Sequence, residues 1–353
     1  MSQNNDVSEI YHIFKSDTKK IIKSVDSNIL INALKDMLLA RNFEQRAESA
    51  YQTGKISGFL HLYIGQEAVA TGCVYAAGAD NYFTSTYRNH ALALLLGATP
   101  DEMMAELYGK ATGNVLGRGG SMHLFLENML GGLAIVGGHI PIATGAGFSI
   151  KYKNNEKEDY KKVSVCTLGD GTVPQGAFHE SLNLASLWDL PVIYVVENNR
   201  WAMGTPSEKE VCVKPIAEKI APSYNMKSYT LDGMDFFNCY AGFKDAAEYV
   251  KKEKRPVLIE ALTYRFKGHS ISDPGLYRTK EQVLDIQKQD PIIHLKNTLI
   301  EHKIITEENF INFNEDKKQI AIKSMSFAED SPWPDPTVLG EGVFCTDNNG
   351  GNK

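Results

Sequence analysis

The chain has 353 residues, 43% hydrophobic and 23% charged, a composition with enough apolar residues for a sizeable core, which excludes disorder, collagen and disulfide scaffolds. Forty-three acidic against 37 basic residues give a net charge of -6; such a chain is repelled by phosphate backbones unless its basic residues gather on one face, so no nucleic acid partner is expected. The five cysteines, Cys73, Cys166, Cys212, Cys239 and Cys345, are scattered without CxxC spacing, the pattern of reduced thiols in a cytoplasmic setting.

Residues 1–25 are polar, contain Asp6, Glu9 and Asp17 and lack the apolar core of a signal peptide. They are expected to form a loosely held arm carrying no export or import signal. The stretch 29–54, ILINALKDMLLARNFEQRAESAYQTG, has the pattern of an amphipathic helix ending at Gly54. From about 56 to 150 short apolar segments alternate with glycine-rich turns, the kind of loops that serve a ligand or tight packing. The uncharged stretch from Asn128 to Ile150 is long enough to cross a bilayer, but its six glycines, Pro141 and His139 predict a buried turn and helix, with no membrane partner. Next, VSVCTL (163–168) predicts a strand, QGAFHESLNLASLW (175–188) a helix and PVIYVVEN (191–198) a second, continuously apolar strand. A similar unit follows, with SYTLDG near 228–233, a helix from about 236 to 252 and the strand PVLIEALTY at 256–264. Helices alone are expected from about 279 to 330, and a frayed tail at 346–353. The fold class is therefore α/β, a mostly parallel sheet flanked by helices, in one large domain over 26–345 with helical N- and C-terminal extensions.

Asp170 stands in a Gly-Asp-Gly turn after the first strand of the βαβ unit, and Asn199 follows the second. Parallel strands joined by a right-handed crossover put both ends on one edge of the sheet, where open α/β sheets bind ligands. A carboxylate beside a phosphate-binding turn calls for a hard cation between them, and Mg²⁺ takes oxygen ligands of this kind. Helix capping by Asp170 and an Asx turn at Asn199 are the commoner uses of these residue types. A nicotinamide site requires GxGxxG; here Pro174 holds the third glycine position and Asp170 lies where a pyrophosphate would approach. His179 begins no zinc helix, since Asn183 takes the place of the second His in HExxH. His123, in GGSMH, fits either loop packing or function.

The run GDGTVPQGAFHESLNLASLWDLPVIYVVENNRWAMGT resembles the thiamine diphosphate motif of the 2-oxo acid dehydrogenase E1 α subunits. FLHLYIGQEAV, YRNHALALLLG, GRGGSMHLF, IVGGHIPIATGAG and TYRFKGHSISDPGLYRTKEQV also occur in the order expected of that family, over roughly residues 30–330. The resemblance implies a thiamine diphosphate-binding fold. It implies Mg²⁺ ligation by the side chains of Asp170 and Asn199 and by the Trp201 carbonyl, with Gly169 completing the turn and Gly171 and Thr172 offering N–H groups to the diphosphate. Tyr87 and Arg88 match diphosphate-binding positions, where a guanidinium fork suits phosphate, although a lone arginine is more often an exposed surface charge. Ala134 and Val136 match positions whose backbone meets the aminopyrimidine. His61 and His269 match active-site histidines, His269 also beside the cofactor; the alternative for each is a hydrogen-bonded structural histidine. Ser270 matches a serine phosphorylated in some members, but it could also simply hydrogen-bond within its loop. Pro174, Trp201 in place of the usual Tyr, and His139 in place of Gln depart from the family pattern.

The implied activity is oxidative decarboxylation of a small-molecule 2-oxo acid. The implied partners are an E1 β subunit, in an α₂β₂ heterotetramer, and an E2 lipoyl acyltransferase. The loop GHSISDPG is more similar to pyruvate members than to branched-chain or acetoin members. From another class, a non-catalytic nucleotide- or metal-binding scaffold subunit has the same motifs open to it.

Overall fold

The computed structural model describes residues 10–154 and 159–341. The chain opens with two helices, α1 (Thr18–Ser24) and α2 (Ser27–Gln52), and continues through α3 (Glu67–Ala77), β1 (Tyr82–Thr86), α4 (His90–Leu95), α5 (Pro100–Leu107), β2 (Met129–Leu133) and α6 (Ile140–Lys153). The first βαβ unit is β3 (Ser164–Gly169), α7 (Gly176–Leu187) and β4 (Val192–Asn198). A two-stranded hairpin, β5 (Trp201–Ala202) and β6 (Thr205–Pro206), leads through α8 (Ile216–Ile220) to β7 (Lys227–Asp232), α9 (Phe236–Glu253) and β8 (Val257–Leu262). Three more helices follow: α10 (Lys280–Gln287), α11 (Pro291–Glu301) and α12 (Glu307–Asp330).

Six strands form one sheet in the order β2-β1-β3-β4-β8-β7, every neighbouring pair parallel. All seven residues of β4 and all six of β8 are buried, as expected for parallel strands covered by helices on both faces. Their side chains divide between the faces with a period of two. Val165, Ile193, Val195 and Ile259 pack into one apolar core together with residues of α3 and α9. Cys166, Tyr194, Val196 and Leu258 pack into a second with residues of α6, α7 and α8.

The two βαβ units lie within a residue or two of their expected positions, and the stretch 128–150 forms β2, a turn and the start of α6. Among the described residues no helix is long and apolar enough to cross a membrane. Residues 10–25 differ from the expected loose arm. The edge strand β7 pairs with Ile13 through an isolated bridge to Thr230, Phe14 N–H donates to Thr230 O, and His12 bonds Glu218. Backbone groups left open on a sheet edge recruit the arm. The expected tail at 346–353 lies outside the described residues.

The glycine-rich loop after α5 folds around one buried carboxylate. Glu106 accepts from the N–H groups of Val115, Gly117, Gly119 and Gly120 at 2.9, 2.9, 2.7 and 3.1 Å. A side chain at Gly113 or Gly119 would collide with Glu106 or with the His123 carbonyl. From this loop His123 Nδ1 bonds Gly132 O and Leu124 O accepts from Gly132 N–H, so Glu106 fixes β2 and the residues beyond it. Glu106→Gln is expected to lower stability by roughly 2–4 kcal/mol, because one amide oxygen cannot serve four donors. Denaturant titration with an unchanged slope checks this; a midpoint equal to that of the parent chain would refute it.

Candidate active site

The strand order reverses direction between β1 and β3, so the carboxyl ends of those strands frame a switch-point crevice. Five of the six strand ends supply residues near it: Tyr87 and Arg88 after β1, Ala134 and Val136 after β2, Asp170 after β3, Asn199 after β4 and Arg265 after β8. The crevice is a cavity of about 540 Å³. Tyr87, Arg88, Val136, Gly169, Asp170, Gly171, Thr172, Asn199, Trp201 and His269 all line it. His61 and Ala134 are outside the lining. His61 stands behind it, its ring centroid 4.4 Å from that of Tyr87 and 5.1 Å from that of His269.

Asp170 is only 1% exposed and occupies a 3-10 turn; the N-cap of α7 is Gln175, so Asp170 does not cap that helix. Its Oδ2 is buried without a hydrogen-bond partner among the described residues. Burial pushes its carboxyl up to about 7, with Glu210 adding to the rise and Arg265 opposing it. Beside it, a Cβ at Gly171 would lie 2.6 Å from the Ala202 Cβ, so only glycine fits the turn there. Asn199 does make an Asx turn, its Oδ1 accepting from Trp201 N–H at 3.2 Å, while its Nδ2 donates to Gln66 Oε1 at 3.1 Å. The two commoner uses of these residues therefore part company: the Asn199 turn exists, the Asp170 cap does not. A partnerless buried carboxylate oxygen, an amide oxygen and a main-chain carbonyl around one cavity fit a hard divalent cation in their chemistry.

Arg88 is buried rather than a surface charge. Its guanidinium donates to Leu62 O and to His269 O, the latter at 2.8 Å. Burial, with the charge of Arg265 nearby, lowers its pKa to about 10. Burial and then the charge of Arg88 hold His61 down to about 2, and burial with Arg88 and Arg265 holds His269 down to about 4. Both imidazoles are neutral near pH 7, able to donate with one nitrogen and accept with the other. His269 sits in a loop braced by Asp273, which accepts from the N–H groups of His269 and Gly275 and from the Tyr277 hydroxyl. Ser270 is buried in the same loop with its Oγ 2.9 Å from that of Ser272.

A model of the dehydrogenase E1 component family matches residues 35–337. The chain belongs to that family. It is similar to the protein named pyruvate dehydrogenase E1 component subunit alpha from Rickettsia conorii, 41% identical over 317 residues that cover 89% of this chain and 95% of that relative. It is similar to the chloroplastic pyruvate dehydrogenase E1 component subunit alpha-3 of Arabidopsis thaliana, 41% identical over 88% of this chain and 73% of the relative. A Porphyra purpurea protein named pyruvate dehydrogenase E1 component subunit alpha is 40% identical over 90% of this chain and 93% of its own length.

The remaining residues find their places in this dehydrogenase E1 component. His179 is half-buried on α7, and its Nδ1 bonds the Tyr224 hydroxyl. His123 bonds Gly132 O of β2 and lies outside the cavity lining. His139 is fully buried at the cavity wall; its Nε2 donates to Thr167 O at 2.8 Å, leaving Nδ1 an acceptor without a partner among the described residues. Sequence reasoning missed Gln66, Glu197, Glu210 and Arg265, which also line the cavity. Glu197 is buried, receives a bond from the Tyr63 hydroxyl and is pushed up to about 7 by burial. Arg265 had a usable signal: it directly follows the strand predicted over 256–264, on the same sheet edge as Asp170 and Asn199.

Burial lowers the His139 pKa from 6.5 to about 4. The unfolded chain then takes up the proton first, so stability is full above pH 6.5 and is lost as pH falls toward 4. His139→Gln is expected to keep stability at pH 7.5 and to diminish the loss on acidification by up to about 3 kcal/mol. Unfolding midpoints at pH 7.5 and 5 check it; an unaltered acid sensitivity would refute it.

Proposed function

We propose that the chain works as the α subunit of a pyruvate dehydrogenase E1 component, holding thiamine diphosphate through Mg²⁺ and decarboxylating pyruvate. The observation that carries this reading is the buried, partnerless Oδ2 of Asp170 at a switch-point cavity shared with Asn199 and Trp201. Relatives that carry the name pyruvate dehydrogenase E1 component subunit alpha along most of their length support it.

When bound, thiamine diphosphate would supply a nucleophilic carbon and an electron sink for the decarboxylation of a 2-oxo acid. Asp170, Asn199 and the Trp201 carbonyl would hold Mg²⁺, and the backbone N–H groups of Gly171 and Thr172 would meet the diphosphate at the turn. Tyr87 and Arg88 would add a hydroxyl and a positive charge toward the same anion. The backbone of Ala134 and Val136 would meet the aminopyrimidine. His269, and His61 behind it, would act as neutral imidazoles that orient an anionic substrate and move protons near neutral pH.

The surface around the cavity supports a protein partner. Ile135 and Met203, which line the cavity, are 74% and 64% exposed, and away from the cavity Phe148, Tyr152 and Trp188 form a separate exposed aromatic cluster toward the ends of α6 and α7. Apolar residues so grouped mark an interaction surface. An E1 β subunit in an α₂β₂ assembly would cover it and complete the cofactor site, and an E2 lipoyl acyltransferase would take the acetyl group.

With the full chain purified together with its native partner, acceptor-linked oxidation of pyruvate is expected to exceed that of branched-chain oxo acids and to require both thiamine diphosphate and a divalent cation. Asp170→Ala is expected to abolish cation-dependent cofactor binding, and His269→Ala to lower kcat by roughly 10²-fold or more. An Asp170→Ala assembly that keeps full cofactor-dependent turnover would leave the chain a scaffold subunit.

A further inference from the structure

Among the described residues Arg265 heads the large buried side chains, at 1% exposure. A guanidinium removed from water ordinarily takes a carboxylate partner. Among the described residues no carboxylate stands within ion-pair distance of Arg265. Its partners are neutral oxygens. Nη1 donates to Asn199 Oδ1 at 3.2 Å and to Trp201 O at 2.8 Å; Nη2 donates to Met203 O at 2.5 Å and to the Tyr277 hydroxyl at 2.7 Å.

One nitrogen of Arg265 thus bridges the two neutral oxygens that the proposed function assigns to Mg²⁺. Asn199 Oδ1 also accepts from Trp201 N–H, so both its lone pairs are engaged. Asp170 Oδ2, the third oxygen, has no partner among the described residues. The donor set is therefore divided: two oxygens serve a fixed positive charge, and one waits for a mobile one. A divalent cation arriving alone must compete for the Asn199 and Trp201 oxygens and approach a buried guanidinium, with the charge of Arg88 close enough to that guanidinium to be perturbed by it. A diphosphate carries negative charge to offset both.

We propose that Arg265 makes cation binding conditional on the diphosphate. It stands in for the cation at Asn199 Oδ1 and Trp201 O, and its unpaired charge keeps a divalent ion from settling unless the anion comes with it. The inference rests on the assignment of Asp170, Asn199 and Trp201 as ligands. Because coupling between two ligands is reciprocal, a bound cation raises the affinity of the site for the diphosphate by the same factor.

The test uses Mn²⁺, an oxygen-preferring ion visible by electron paramagnetic resonance, titrated into the full chain with its native partner, with and without thiamine diphosphate. The parent chain is expected to bind Mn²⁺ poorly alone and at least about tenfold more tightly with the cofactor. Arg265→Gln, which removes the charge, is expected to tighten Mn²⁺ binding in the absence of cofactor and to shrink the coupling by about tenfold. Arg265→Lys keeps the charge without the fork and is expected to retain the coupling. Unchanged or weaker cofactor-free binding in Arg265→Gln, or coupling lost in Arg265→Lys, would overturn the proposal. Should Arg265→Gln not fold, the parent chain and Arg265→Lys still decide: equal Mn²⁺ affinity with and without cofactor in either one overturns it. Asp170→Ala separates the two layers, since Mn²⁺ binding that survives that change defeats the ligand assignment itself.

Discussion

Everything at the candidate site depends on a sheet whose strands all run the same way. Parallel pairing sends every strand's carboxyl end to one edge, and helices over both faces leave that edge as the place where loops can open. The reversal of order between β1 and β3 then parts the neighbouring loops into a crevice. Residues separated by 182 positions, Tyr87 and His269, become ring neighbours for that reason.

The supports of this edge are buried polar contacts as much as apolar packing. Glu106 ties four backbone donors of the glycine-rich loop, and Glu67 receives the Arg41 guanidinium while accepting from Gly65 N–H beside Gln66. Arg41 also reaches Asp290, joining α2, α3 and the start of α11 in one network. Buried carboxylates satisfied so fully fix a geometry. The cavity-lining carboxylate oxygens are left less satisfied: Asp170 Oδ2 and Glu210 Oε2 have no partners among the described residues. Satisfied carboxylates in the frame and unsatisfied ones in the cavity are the arrangement expected where a polar ligand completes the hydrogen bonding.

The charge around the cavity follows the same division. Arg88 and Arg265 place two positive charges in it, both buried and both bonded to carbonyl oxygens instead of carboxylates. Burial, with their charge adding to it, holds the neighbouring imidazoles neutral, and the two charges leave the cavity attractive to an anion. Such an environment suits both a diphosphate and a 2-oxo acid, two anionic species that one family's chemistry brings together.

The sequence by itself determined the two βαβ units, because β3, β4 and β8 read as continuous apolar runs, and the family, because its motifs are local strings. It also placed Asp170 and Asn199 on one edge, since topology rules need only strand order and direction. It left β1 and β2 hidden: β1 is five residues with Thr84 and Ser85 buried, and Ser85 bonds Thr167 on the neighbouring strand, a partnership no local pattern encodes. Only the tertiary structure decided which polar groups lose water and what they then bond. That tied down residues 10–25, turned Arg88 inward, set His123 to hold a strand, and laid the Arg265 guanidinium on the oxygens of Asn199 and Trp201. Burial and long-range hydrogen bonding depend on contacts between distant segments, and residue spacing along the chain carries no record of them.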